Sequence, residues 1–208
     1  MTNTHQFASD VAFTAAVKSI QVRKGSREAY AHVEQRGWST EVDDNLATFL
    51  ADTSSFYLAT ASADGQPYIQ HRGGPKGFLK VLDRNTLAFA DYGGNRQYIT
   101  QGNLSENPKA CIFVMDYTYR RRVKIWGEAR VVEDDAALTQ SLMPEGYKAR
   151  PEQVILFKIA AWDTNCPQHI PVKFDAVDVA AALAARDARI AELETELATL
   201  RDQPTPTR

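Results

Sequence analysis

The sequence predicts a mainly β protein: a closed or nearly closed barrel of six antiparallel strands with peripheral helices and a long C-terminal helix. Three observations predict it. Apolar spacing changes from helical to alternating near residue 55, hairpin turn signals then recur at short intervals, and the chain ends in an Ala/Leu/Glu/Arg run at heptad spacing.

Residues 8–52 read as helical, because Phe13, Val17 and Ile20 share one spacing and Leu46, Phe49 and Leu50 another, behind the acidic start at 41–44. Gly25-Ser26 and Gly37-Trp38 divide this stretch into short helices. Residues 55–63 (SFYLATASA) and 67–72 flank Asp64-Gly65, a strong hairpin signal. Residues 77–82 and 86–91 form a second hairpin about Asp83-Arg84-Asn85, and 110–117 and 121–132 a third. Residues 154–161 are the last strand, and helical inserts are expected at 95–105 and 134–142. Closure of the barrel is expected because it removes exposed strand edges.

From 177 to 201, Leu183, Ile190 and Leu197 lie seven apart, with Leu193 and Leu200 at the second apolar position of the repeat. Two placements fit this helix, a coiled-coil contact between subunits or a position on its own barrel. The expected divisions are an N-terminal helical segment packed on the barrel (1–52), a barrel domain (53–174), and a C-terminal helix with a disordered tail (175–208).

Composition narrows the function. At 44% hydrophobic the chain can bury a core, and a net charge of −2 disfavours nucleic acid as a partner. No apolar run approaches the roughly 20 residues that cross a bilayer, and MTNTHQFASDVAF lacks a signal-peptide pattern. Two cysteines, Cys111 and Cys166, are too few for a disulfide framework or a tetrahedral zinc site. A reduced, cytoplasmic, metal-free protein is expected.

Glycine and cation concentrate in QHRGGPKGFLKV (70–81) and DYGGNRQYITQGNL (91–104). Glycine lets a backbone approach an anion, and a helix N-terminus offers it unpaired amides. Arg72, Lys76, Lys80 and Arg96 together could neutralise a phosphate dianion, or they are solvated loop charges. In TYRRRVKIWG (118–127), strand alternation places Arg122 and Lys124 on one face, either a solvated surface or a cationic wall. No GxSxG, HExxH or paired-cysteine motif occurs, so chemistry beyond these side chains calls for an organic cofactor.

The run from DGQPYIQHRGGPKGFLKV through YGGNRQYI to YRRRVKIWGEARVVED resembles the pyridoxamine 5′-phosphate oxidase-like family of FMN-binding split barrels, over roughly residues 42–172. The resemblance implies a six-stranded Greek-key split barrel that forms a homodimer with FMN at the subunit interface. It implies that Arg72 and Lys80 line the flavin and its phosphate, and that Asn95, Arg96 and Gln97 grip the phosphate. Arg122 stands where the oxidase has a flavin-contacting Gln, and Lys124 would join it in stabilising a reduced, anionic flavin. Trp162 matches the Trp that opens the oxidase's C-terminal signature.

The departures lie beyond that Trp. The oxidase carries a substrate-touching Arg six residues later and a His eight later, where this chain has Gln168 and Ile170, with His169 one place early. Clear counterparts of the residues that hold the substrate's phosphate are lacking between Glu133 and Arg150. FMN binding is therefore expected to persist while vitamin B6 oxidation is not. NCPQHI (165–170) reads as a lid beside the flavin, with Asn165, Gln168 and His169 offering hydrogen bonds, or as a plain connector. The expected function is an FMN-dependent oxidoreductase with His169, and more weakly His71, as acid–base candidates. Alternatives are an authentic pyridoxamine 5′-phosphate oxidase, a non-catalytic flavin-sensing module, or a haem- or deazaflavin-binding relative.

Overall fold

The structure, a computed structural model, describes residues 6–164 and 166–201. A 3-10 turn, Ala8–Val11, leads into α1 (Ala15–Lys24), α2 (Arg27–Arg36) and α3 (Asp44–Ala51). Thr14 caps α1 by accepting the Val17 amide at 3.3 Å, and Asp43 caps α3 by accepting the Leu46 amide at 2.7 Å. Gly25 ends α1 at φ 76°, a conformation that disfavours a side chain.

The expected apolar stripe of α1 is only partly used, since Ile20 is 49% exposed. The contact between α1 and α2 is polar instead. Glu34 is buried between Arg27, which donates to it, and Lys18, whose Nζ lies 3.1 Å away. Phe13 packs edge-on against Tyr30 and Trp38, and Trp38 stacks on Trp126 at 4.9 Å. That aromatic chain ties the N-terminal helices to the sheet.

Seven strands follow: β1 (Ser55–Ala61), β2 (Pro67–Gly73), β3 (Lys80–Asp83), β4 (Thr86–Tyr92), β5 (Lys109–Asp116), β6 (Arg121–Val132) and β7 (Pro151–Thr164). The inserts are α4 (Ile99–Glu106) and α5 (Ala136–Leu142), and α6 (Ala176–Arg201) ends the described chain. The strands form one antiparallel sheet in the order β2-β1-β5-β6-β7-β4-β3. Alternation turns Phe56, Leu58, Ile112, Val114, Ile125, Phe157, Leu87 and Phe89 inward, all at most 1% exposed. Phe78, in the β2–β3 connection, plugs this core and stacks on Phe56 at 5.4 Å. On the outer face α5 covers Ala88, Ala90 and Val154 with Leu142.

The structure corrects the barrel in two respects. There are seven strands, not six, because all six arms of the three hairpins form and β7 adds to them. The sheet is also open rather than closed. The four-residue β3 pairs only with the Thr86–Ala88 end of β4, which leaves residues 89–92 unpaired on that side. Across this split, β2 meets β4 and α4 through side chains instead of a backbone ladder.

The sheet coils sharply where the β6–β7 register shifts between Trp126 and Gly127. A Cβ on Gly127 would stand 2.0 Å from the Lys158 carbonyl oxygen and 2.7 Å from the Phe157 ring. Gly127→Ala is therefore expected to destabilise the fold by about 3 kcal/mol. Gly94→Ala, which meets open space, should leave the urea midpoint nearly unchanged.

Burial works against the charge on Glu34, but hydrogen bonds from Arg27 and Lys18 outweigh it and hold the carboxyl below its ordinary range. A depressed carboxyl stabilises the fold above its unfolded value of about 4.3 and loses that contribution as pH falls through the folded value. Below about pH 4 the α1–α2 pair should loosen before the sheet. Tryptophan fluorescence would report it through the Trp38–Trp126 stack, and Glu34→Gln should shrink the acid-dependent step to the part that the Asp10–Lys18 pair contributes.

Candidate functional site

The split between β2 and β4 holds a small cleft of about 50 Å³, floored by β2, β4 and β7 and rimmed by the loop 93–98 and the start of α4. Strand pairing explains its inner residues. Phe56 and Leu58 on β1 face inward, so their partners Arg72 and Gln70 on the edge strand β2 do too. Asp91 follows Leu87 and Phe89 on the inner face of β4.

These inward polar groups satisfy one another. The Asp91 carboxylate accepts from Arg72 Nη1 and, at 2.9 Å, from Gln153 Nε2. The Arg72 guanidinium lies 5.9 Å from the Phe89 ring centre. Thr100 donates to Gln70 Oε1 at 3.0 Å, and Asn103 donates to Thr60 at 3.0 Å, fastening α4 to β2 and β1.

Other donors are unsatisfied. Arg72 Nε and the Tyr92 hydroxyl are buried with no hydrogen-bond partner. Burial, reinforced by Tyr147 nearby, raises the Tyr92 hydroxyl above its ordinary value and keeps it a proton donor. Tyr98 stands at the N-cap of α4 without a capping side-chain bond, so the first amides of the helix stay open.

The loop before α4 is tightly wound. Arg96 and Tyr98 adopt left-handed φ values of 60° and 54°, and Arg96 Nε donates to the Tyr98 hydroxyl at 3.1 Å. Asn95 Nδ2 donates to Gln97 Oε1 at 3.1 Å. Glu152 crowds the rim, since a Cβ on Gly93 would lie 3.2 Å from its Oε1. The cleft thus pairs two cations, Arg72 and Arg96, with two carboxylates, Asp91 and Glu152.

Of the residues singled out in the sequence, Arg72, Asn95, Arg96 and Gln97 come together here. The others lie elsewhere. Lys80 sits on β3 opposite Ala88 and does not line the cleft. Arg122 and Lys124 are on the outer face of β6, opposite Met115 and Phe113. Lys124 Nζ lies 5.0 Å from the Trp126 ring centre and 3.4 Å from Asp163. Trp162 anchors the N-terminal segment, its amide donating to Ser39 O and its Nε1 to Glu41 O, both at 2.8 Å.

Gln168 and His169 are exposed in the loop after β7, His169 at φ 61°, and Asn165 lies outside the described residues. His71 is exposed on β2 with its ring edge toward Tyr57. Burial pushes the Cys111 thiol up to about 11, so it is not a thiolate nucleophile near neutral pH. Among the described residues, no group of three or more His, Cys, Asp or Glu could hold a metal ion, and no helix is long and apolar enough to cross a membrane.

Sequence reasoning missed Asp91, Tyr92, Thr100, Glu152 and Gln153. Asp91 had a signal, an acidic residue at an inward position of an apolar strand. Gln153 and Thr100 had none, because their roles depend on which strands become neighbours.

A family model described as pyridoxamine 5′-phosphate oxidase matches residues 42–166, more than half of the chain. The chain belongs to the pyridoxamine 5′-phosphate oxidase family. Among solved structures, HupZ of Group A Streptococcus is similar at 17% identity and a TM-score of 0.50, over 64% of this chain and 100% of that one. General stress protein 26 of Bacillus anthracis is similar at 14% identity and 0.44, over 57% and 89%. HutZ of Vibrio cholerae, described as a haem storage protein, is similar at 16% and 0.42, over 56% and 89%. No curated protein matches. The family match ends just past Trp162 and excludes α1, α2 and α6.

Removing Asp91 alone leaves the Arg72 charge without its partner in a largely buried place. Asp91→Asn is expected to destabilise the protein by about 3 kcal/mol. The double change Arg72→Met, Asp91→Leu should recover most of that loss in urea unfolding.

Proposed function

We propose that this chain is an FMN-binding oxidoreductase whose cofactor phosphate docks in the cleft at the split. The observation that carries the proposal is the convergence of donors there: the uncapped start of α4 and Arg96 at the rim, with the Arg72 guanidinium behind them. This donor set fits a phosphate monoester. Helix N-terminal amides and a guanidinium fork both suit its oxygens. Asp91 holds the Arg72 guanidinium in place, so its charge is fixed beside the site without a rotamer search.

Bound FMN would supply hydride acceptance and donation; the protein would orient the ring and tune its charge. Arg122 and Lys124 remain the proposed tuning cations. Both lie on the outer sheet face near half-exposed Tyr57, Phe113 and Met115. In one chain that face is separate from the cleft, which supports a homodimer in which a second copy covers it. Gln168 and Ile170, in place of the oxidase's Arg and His, argue against pyridoxamine 5′-phosphate as the substrate.

The test compares FMN with riboflavin, which lacks the phosphate. The wild-type protein should bind FMN with flavin absorption bands, and Arg96→Ala should weaken FMN by about tenfold or more while leaving riboflavin unchanged. Failure to take up FMN, or equal losses for both ligands, would refute the proposal. No peroxide should form with pyridoxamine 5′-phosphate under air.

A further inference from the structure

Helix α6 runs for 26 residues, about 39 Å, and buries none of them. It therefore does not lie on its own barrel. Leu183, Ile190, Leu193, Leu197 and Leu200 are 41–63% exposed along one side. A helix with no tertiary packing has little besides intrinsic propensity to hold it, and an apolar seam on such a helix, broken only at Arg186, calls for a partner.

We propose that α6 pairs with α6 of a second copy of this chain as a parallel, in-register two-stranded coiled coil. This extends the homodimer reading without resting on flavin binding. With Leu183, Ile190 and Leu197 at the first core position (a) of the heptad, Val179, Leu193 and Leu200 take the second (d). At the Ile190–Leu193 layers a β-branched residue at a meets leucine at d, the combination that favours two strands, while Leu183 and Leu197 at a are neutral to it.

The flanking charges choose the partner and its direction. Arg189 and Glu196 fall at the g positions, and Asp187, Glu194 and Arg201 at the e positions. A parallel pair brings each g residue beside the e residue five places on in the other helix. Arg189 then meets Glu194 of the second copy, and Glu196 meets Arg201 of the second copy. Both pairs are attractive, and two-fold symmetry makes each occur twice.

The antiparallel register that sets Ile190 against Leu193 of the second copy instead brings Asp187 toward Glu194 of the second copy. It keeps Arg189 beside Glu196 of the second copy, so its flanking pairs cancel where those of the parallel pair all attract. Within one chain Arg189 reaches Glu192 at 2.7 Å and Glu196 at 3.8 Å. Such exposed pairs are weak and readily exchanged. Arg186 is the one charged core position and in the parallel pair faces Arg186 of the second copy, a local cost, so pairing is strongest beyond it, from Ile190 to Leu200.

The experiment uses the full chain with Cys111→Ser and Cys166→Ser as background. Adding Leu193→Cys should yield a disulfide-linked dimer as the main product of mild oxidation, because the two residues 193 face each other in register. Ala188→Cys, on the outward side of the same repeat, should not cross-link. Glu194→Arg should suppress the Leu193→Cys cross-link, and adding Arg189→Glu should restore it. A chain that sediments as a dimer but gives no cross-link at 193 overturns the coiled coil while leaving a barrel-to-barrel homodimer standing. A monomeric chain overturns both. Preferential linkage between Ile190→Cys and Leu193→Cys chains in a mixture overturns the parallel direction.

Discussion

The arrangement depends on the way the open sheet is held at its split, by the ion pair between Arg72 on β2 and Asp91 on β4. Backbone pairing stops short there because β3 spans only four residues. A largely buried carboxylate with two donors and a guanidinium over Phe89 take the place of a ladder. A salt bridge in such a place contributes little net stability against an apolar pair of the same size, but breaking it is costly. Its value here is positional: it sets the spacing of β2 and β4 and so the width of the cleft.

The same residues therefore carry structure and the proposed binding together. Arg72 spends one nitrogen on Asp91 and keeps Nε free, and Gln70 fastens Thr100 at the start of α4. The helix terminus, the loop 93–98 and the edge strand are thus held in one frame before any ligand arrives. Two carboxylates offset the two arginines, so the cleft's preference for an anion rests on directed N–H groups rather than on net charge.

A second frame lies at the far end of β7. Trp162 bonds to Ser39 and Glu41, Trp126 stacks on Trp38, and Lys124 sits against that stack. Two residues that sequence reasoning assigned to a flavin are engaged in docking the N-terminal helices. Lys124 retains a charge on the outer face, whereas Trp162 is committed to this contact at both its amide and its ring nitrogen.

The sequence by itself determined what is local: short helices divided at Gly25 and Gly37, hairpins at Asp64-Gly65 and Asp83-Arg84-Asn85, and the heptad run of α6. Each depends on turn chemistry or on periodicity over a few residues. The cation-rich turn at Asn95–Gln97 was legible too, because its residues are adjacent in the chain. Tertiary structure alone decided that the barrel stays open, since that follows from the short β3 and from which strands become neighbours. It brought Asp91, Gln153 and Thr100 to Arg72 and Gln70 across separations of 19 residues and more. It also sent Lys80, Arg122 and Trp162 away from the cleft, because a strand's alternation says which residues share a face but not which face a ligand meets.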